Sequence, residues 1–428
     1  MDYTPTAEEL SYLRRLAKRQ AEIAALPATR AREKLWTDTN DCVPGARPPF
    51  AIETWTFDRD FMPESVFRCP PELRWIESPL LRNIRHFEIL GDDQVCPSTF
   101  DIGWQVWQDE FGVKIKFEHA KDDEGHTTGY HWEPTIKDLC KGLDPVRPAR
   151  FGVNRESTLA LKADLEELFD GILPVRIRGD GFGNGSLTGN VVRLMSMDQF
   201  FTAMYDCPDR LHELMALLRD NVKRIGQWAE AEGLLTVNNG NQCTCGTCLN
   251  FTTKLPRQPF DGRARLSDMW LRLDSQETVG VSPELFHEFC FPYYADLAAL
   301  HGFVYWGCCE PADTIWEKSL SKLPNLRAVS ISRWANEEYM AESLAGRDIV
   351  YSRKPDPNLL SLHYDLDEAA WRKEIRATLE AATKHNLPLE FVVRDAYTMR
   401  GNLAKTRRAV ELAREEIDRF YGPREQLG

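Results

Sequence analysis

A chain of 428 residues, 43% hydrophobic and 28% charged, has a globular composition and enough length to enclose a large core. Its formal net charge of −13 at pH 7 excludes general nucleic-acid binding, which needs a basic surface, but permits an anionic ligand in a locally basic pocket. No stretch reaches the roughly 18 consecutive apolar residues of a membrane span, and the opening MDYTPTAEELSYLRRLAKRQ has no apolar signal core, so a cytoplasmic protein is expected. In that setting the eleven cysteines read as thiols or metal ligands rather than a disulfide framework.

Residues 1–47 read as a helical extension. As far as about Thr37 they form one or two polar helices, with Leu10, Leu13, Leu16 and Ile23 at helical spacing. The first strand, PPFAIETW, follows at Pro48 to Trp55. From about residue 56 to 150 the pattern breaks into an aromatic- and proline-rich insertion, a lid candidate, in which GVKIKFEH and HTTGYHWEP read as a hairpin. Seven more apolar runs come after it: Leu173–Gly181, Gly233–Gly240, Met269–Gln276, Gly302–Glu310, Leu326–Trp334, Asp348–Pro355 and Leu389–Ala396. Helical patterns separate them, one opened by Ser282 and Pro283 as N-cap and first helical residue. Strict alternation implies parallel strands, and eight of them suggest a single-domain (β/α)8 TIM barrel over residues 1–428. An open doubly wound sheet is the alternative.

In a barrel the chemistry gathers at the C-terminal strand tips. The tips here offer Glu53, Arg178, Asp180, Asn238, Asn239, Asp274, Gln276 and Glu277. Later strands add Cys308, Cys309, Glu310, Ser332, Arg333, Arg353, Lys354, Arg394 and Asp395. The densest is FVYWGCCEP at Phe303–Pro311, where a β-forming run stops at Gly307. Cys308 and Glu310 are two apart, so extended geometry turns both to one side as candidate zinc ligands, with Trp306 beside them and Cys309 opposite unless the bend at Gly307 rotates them. A pair of buried cysteines acting as small hydrophobes is the plainer alternative. Cys243, Cys245 and Cys248 have chelating spacing but lack an evident fourth ligand, which leaves open a cysteine-rich loop or a site shared with Cys308. The glycine-rich GDGFGNGS at 179–186 lacks the ending of a phosphate loop and reads as a close approach to ligand. Arg333, Arg353, Lys354 and Arg394 are suited either to an anionic ligand or to structural ion pairs with nearby acids. His131 is the foremost histidine for acid–base work, against the simpler reading of a packed or surface side chain.

Several segments resemble the uroporphyrinogen decarboxylase-like superfamily, which includes corrinoid-dependent methyltransferases. They are DSQETVGVSPELFHEFCFPYY (Asp274–Tyr294), FVYWGCCEP, NLRAVSISRWA (Asn325–Ala335) and YSRKPDPNLL (Tyr351–Leu360). The resemblance spans about residues 151–419 and implies a (β/α)8 barrel of the uroporphyrinogen decarboxylase type, with an N-terminal helical extension and a long insertion after the first strand. The first strand, AIETWTFD, lacks the Arg- and Asp-containing signature of the decarboxylase. Cys308 matches a cysteine of the zinc-dependent methyltransferases, but Trp306 stands in place of their histidine and Met399 where a second cysteine is expected. Zinc on Cys308 would then need Glu310 or the Cys243–Cys248 loop.

The function expected is a methyltransferase or demethylase that moves a methyl group between a small-molecule substrate and a corrinoid. The corrinoid would be held by a partner protein, since the chain has no Asp-x-His-x-x-Gly motif. Cys308, Glu310 and Asp274 are the expected catalytic residues. Glu53, Asn238, Gln276, Arg333, Arg353, Lys354 and Arg394 are expected to bind substrate. The alternatives are a metal-free decarboxylase or lyase acting on an anion, and a non-catalytic corrinoid- or tetrapyrrole-binding protein.

Overall fold

The computed structural model describes residues 3–121, 127–182 and 185–423. Two helices open the chain, Ala7–Ala24 and Pro27–Asn40. The first starts sharply because Thr6 accepts the amide of Glu9 while Glu9 returns a carboxylate to the amide of Thr6.

Twelve strands follow among the described residues: β1 Phe50–Ile52, β2 Phe100–Gly103, β3 Val106–Gln108, β4 Lys116–Lys121, β5 Thr127–Glu133 and β6 Phe151–Val153. The remainder are β7 Val175–Arg178, β8 Trp270–Leu273, β9 Phe303–Trp306, β10 Leu326–Ile331, β11 Val350–Arg353 and β12 Leu389–Val393. Six of them form a parallel sheet in the order β1-β12-β11-β10-β9-β8. β2 and β7 form a separate parallel pair, and β3 with β6 and β4 with β5 pair antiparallel. The β4–β5 pair is the expected hairpin, although its turn at 122–126 lies outside the described residues.

The architecture is therefore mixed α/β around a parallel sheet. Seven of the eight expected strands form. The eighth, Gly233–Gly240, is not a strand, because side chains take over its pairing. The Asn238 amide accepts from the Trp270 backbone N–H (2.7 Å) and donates to the Trp270 carbonyl (3.0 Å), satisfying the β8 edge as a neighbouring strand would. At the opposite edge, carboxylate oxygens of Asp93 and Asp92 accept the β1 amides of Phe50 (3.0 Å) and Ile52 (2.8 Å).

Alternation along the strands divides the sheet residues between two cores. Phe50, Ile52, Leu271, Leu273, Val304, Trp306, Val329, Ile331, Tyr351 and Phe391 join the large core that contains Phe286, Tyr294, Met340 and Trp371 from the helices. Their neighbours Ala51, Trp270, Phe303, Tyr305, Ala328, Val350 and Val392 pack with Trp36, Cys245, Cys248 and Leu255. The second face is thus covered by the loop that carries Cys245 and Cys248, together with Trp36 of the helix Pro27–Asn40. Ser330, Ser352 and Glu390 fall on this parity and carry polar groups into it. The helix beginning at Pro283 is capped by Ser282, whose hydroxyl accepts the Leu285 amide at 3.3 Å.

The cysteines depart from expectation at one place. Cys140 and Cys207 form a disulfide, and the other nine are free thiols. No helix among the described residues is long and apolar enough to cross a membrane.

Candidate active site

β9 is buried along its whole length and ends at Gly307 (φ +100°), a conformation that disfavours any residue with a Cβ. The turn sets the next three residues at an angle to the strand. Glu310 folds back so that its two oxygens accept the amides of Ser275 (3.0 Å) and Cys308 (2.9 Å). Trp306 stays behind in the helix-side core, with its ring edge-on to Phe286 and Tyr294. The expected alignment of Trp306, Cys308 and Glu310 on one side is therefore broken at Gly307.

Cys308 meets Arg394, which follows β12. Nη1 of Arg394 donates to the sulfurs of Cys308 (2.9 Å) and Cys245 (3.0 Å), while its Nε donates to Glu53 Oε2 (2.8 Å). Glu53 and Arg394 are both buried. Burial pushes the Glu53 carboxyl above its ordinary range, with Arg394 pulling the other way. Attraction to Cys245, Cys308 and Glu53 outweighs burial and keeps Arg394 charged. Gly246 (φ +59°) passes directly over this pair, and a Cβ there would lie 2.5 Å from Glu53 Oε2 and 2.7 Å from Arg394 Nε.

The two thiols beside Arg394 are not equivalent. A hydrogen bond to Cys308 leads the causes holding the Cys245 thiol well above its usual pKa. The same contact pulls Cys308 down, but Cys309 and burial push the other way and leave it at about 11. The Cys245 sulfur donates to the Gly307 carbonyl at 3.5 Å. Cys309 lies 3.5 Å from Cys308, sulfur to sulfur, and donates to Asp395 Oδ2 at 3.0 Å. Asp395 is itself held at φ +59°, uncommon for a residue with a side chain and frequent at functional sites.

A second cluster adjoins the first. Lys354 Nζ donates to Ser352 Oγ (2.5 Å), Tyr305 Oη (2.7 Å) and Cys248 Sγ (3.6 Å), and Ser352 Oγ donates onward to Glu390. Burial holds Tyr305 and Cys248 well above their usual pKa values, so both keep their protons.

A cavity of about 480 Å³ opens over these groups. Its lining includes Cys308, Cys309, Lys354, Arg394 and Asp395, with Arg333, Trp334, Tyr397 and Arg400 around it. The size suits a small-molecule ligand. A larger cavity of about 670 Å³ lies by β2 and β7, but its acids are already paired: Asp101 and Asp180 with Arg178, Glu110 with Arg193, and Asp109 with Arg150 outside the lining. No thiol lines it, and for that reason the chemistry is assigned to the smaller cavity. Gly179 to Phe182 of the glycine-rich run line the larger cavity, while residues 183 and 184 of that run lie outside the described residues.

The other expected site residues are dispersed. Arg353 does not face the cavity. It is buried toward the helices, paired with Glu337 (2.6 Å) and Glu374 (2.8 Å). Asn238 is occupied by the β8 edge, and Gln276 is exposed away from the cavity-lining residues. Asp274 pairs with Arg272 (2.5 Å) in a third, small cavity of about 170 Å³. Arg333 lines the main cavity but is paired with Asp356 (2.6 Å). His131 sits exposed on β5. Sequence reasoning placed Cys309 and Asp395 among the strand-tip groups without giving either a role, and it passed over Tyr305. It left Cys245 undecided, although its CxCxxC spacing was the available signal.

The residues as placed do not fit a zinc ion at Cys308 and Glu310. Both Glu310 oxygens accept backbone amides, and the position facing the Cys308 sulfur is filled by a guanidinium N–H. Among the described residues no three His, Cys, Asp or Glu side chains are placed to hold a metal ion.

No family model matches the chain, and no curated protein matches it in sequence. Among solved structures, a methyltransferase from Methanosarcina mazei superimposes with a TM-score of 0.47 and 12% identity, covering 89% of this chain and 98% of that one.

Proposed function

We propose that the protein is a methyltransferase or demethylase of the corrinoid-dependent type, with Cys308 as the group that takes the methyl. The observation that carries this reading is the placement of the Cys308 sulfur in the cavity lining, 2.9 Å from a buried guanidinium. A fixed cation donating to the sulfur favours the thiolate form that attacks. In the proposed step the Cys308 thiolate attacks the methyl carbon of a bound methyl–heteroatom compound. The S–C bond forms as the C–heteroatom bond breaks, and the leaving heteroatom keeps the electron pair and takes up a proton. In the second half the S–C bond would break with its electron pair returning to Cys308 as thiolate, and the methyl would leave to an acceptor, a corrinoid supplied by a separate protein. In the same reading the strands close into a (β/α)8 barrel, supported by the side-chain bridges from Asn238, Asp92 and Asp93 at the two edges of the sheet.

The test is methyl transfer to reduced cobalamin from a panel of methylated amines, ethers and thiols, read by the absorbance of methylcobalamin. Cys308→Ala is expected to reduce the rate by at least about 100-fold, the scale lost with a reacting group. Full activity in that variant would overturn the assignment. A second reading, metal-free decarboxylation or lyase chemistry on an anion, is favoured by Lys354 and Arg394 lining the same cavity, where fixed cations stabilise developing negative charge. Release of CO2 without methyl transfer would move the assignment there.

A further inference from the structure

The cations around the main cavity differ in what they already hold. Arg394 is bound to Glu53 and two thiols, Lys354 to Tyr305 and Ser352, and Arg333 to Asp356. Arg400 is different. Exposed at the cavity rim, it donates from Nε to the Ser361 carbonyl (3.1 Å), and among the described residues no carboxylate pairs with its guanidinium. Its backbone is held at φ +54°, and the turn before it is pinned by Asp60, which accepts from Thr398 Oγ1 (3.0 Å) and the Met399 amide (2.5 Å). The site thus has a pinned backbone carrying a guanidinium whose Nη donors are open.

Two aromatic side chains share the lining with it. Trp334 is 65% exposed and Tyr397 71% exposed, unusually open for such large rings. Arg333 lies 4.4 Å from the Trp334 centroid and occupies one face of the indole, leaving the other for a ligand. Leu362, also more than half exposed, adds apolar surface to the same wall. The combination is one fixed cation with free donors, flat rings and a cavity of about 480 Å³.

We infer that the cavity takes a planar aromatic carboxylate, held through its carboxylate by Arg400 and stacked on Trp334 or Tyr397. The inference rests on the reading that this cavity is the substrate site, but it names the substrate class by charge and shape, independently of the group transferred. A carboxylate meeting the Arg400 fork makes charge-assisted, bidentate hydrogen bonds. A flat ring gains offset stacking that a saturated ring of similar size does not.

The test is equilibrium binding to the purified full chain, by calorimetry and by quenching of tryptophan fluorescence. The probes are benzoate, 4-methoxybenzoate, uncharged methoxybenzene and cyclohexanecarboxylate. Both benzoates are expected to bind at least about tenfold tighter than methoxybenzene and than cyclohexanecarboxylate. Arg400→Gln should remove the first preference and Arg400→Lys should restore part of it. Trp334→Leu together with Tyr397→Leu should remove the second. Equal binding of all four probes, or an unchanged charge preference in Arg400→Gln with an unchanged melting temperature, would overturn the inference. Because no turnover is measured, failure of the methyl-transfer reading leaves these binding outcomes unaffected, and their failure leaves that reading standing.

Discussion

Replacing Arg394 by glutamine is expected to destabilise the protein by about 3–5 kcal/mol at neutral pH, the cost of leaving one member of a buried ion pair without its partner. Glu53 would be the stranded charge, since it has no exposure and its pairing oxygen lies 2.8 Å from Arg394 Nε. The effect carries a pH signature. Burial already raises the Glu53 carboxyl above its ordinary range, and Arg394 restrains that rise. A carboxyl whose folded pKa is raised stabilises the fold in its protonated form. That contribution is lost as pH climbs from the unfolded pKa through the folded one. Removing Arg394 lifts the folded pKa further, so the deficit should be largest at neutral pH and shrink as the pH falls toward the ordinary carboxylate range. Urea denaturation of both proteins across that window measures it. The double variant Glu53→Gln/Arg394→Gln should recover much of the loss, and a deficit that ignores pH would show that Glu53 is not the stranded group.

The second large effect is expected at Gly246, a residue without side-chain chemistry. A Cβ there would fall within 2.5 Å of the Glu53 carboxylate and 2.7 Å of Arg394, on a backbone already at φ +59°. Gly246→Ala therefore meets two penalties: about 1–2 kcal/mol for the left-handed backbone, and about 1–3 kcal/mol for overpacking a buried site. The same displacement moves the guanidinium away from the sulfurs of Cys245 and Cys308. Turnover should fall by more than the loss of folded protein explains, while the cysteines remain intact. Wild-type activity in a correctly folded Gly246→Ala protein would separate the ion pair from the chemistry.

The parallel sheet was legible because its strands are unbroken runs such as FVYW and LEFVV, which are buried throughout and carry strong β-formers. β2 was not, since FDIG offers only four residues, one a charged Asp and one a Gly. The run at Gly233–Gly240 looked like a strand by composition, but the Asn238 side chain does the pairing instead.

Arg353 illustrates what strand-tip reasoning misses when parity is ignored. Ser352 and Lys354 point to the face that holds Tyr305 and Cys248, so Arg353 between them must point to the helices, where Glu337 and Glu374 receive it. The pairing of Cys308 with Glu310 failed for the opposite reason. That alignment held only if Gly307 left the chain straight, and its positive φ ends the extended geometry on which parity depends. The approach of Cys245 to Arg394 joins residues 149 apart in sequence, a distance that no local pattern spans.

The account turns on Cys308 being the sulfur that faces the cavity under a cationic field. Site-resolved alkylation, read by peptide mass spectrometry, tests this most directly with anionic iodoacetate against neutral iodoacetamide. Cys308 is expected to react with iodoacetate at least as fast as with iodoacetamide, whereas a free cysteine in solution should follow the intrinsic order of the reagents. With its thiol pushed up to about 11, the Cys308 rate should keep climbing with pH well beyond about 8.5, where an ordinary cysteine levels off. A Cys308 that stays unlabelled where free cysteine is fully alkylated, or that shows neither the preference for the anion nor the late rise, would contradict this assignment.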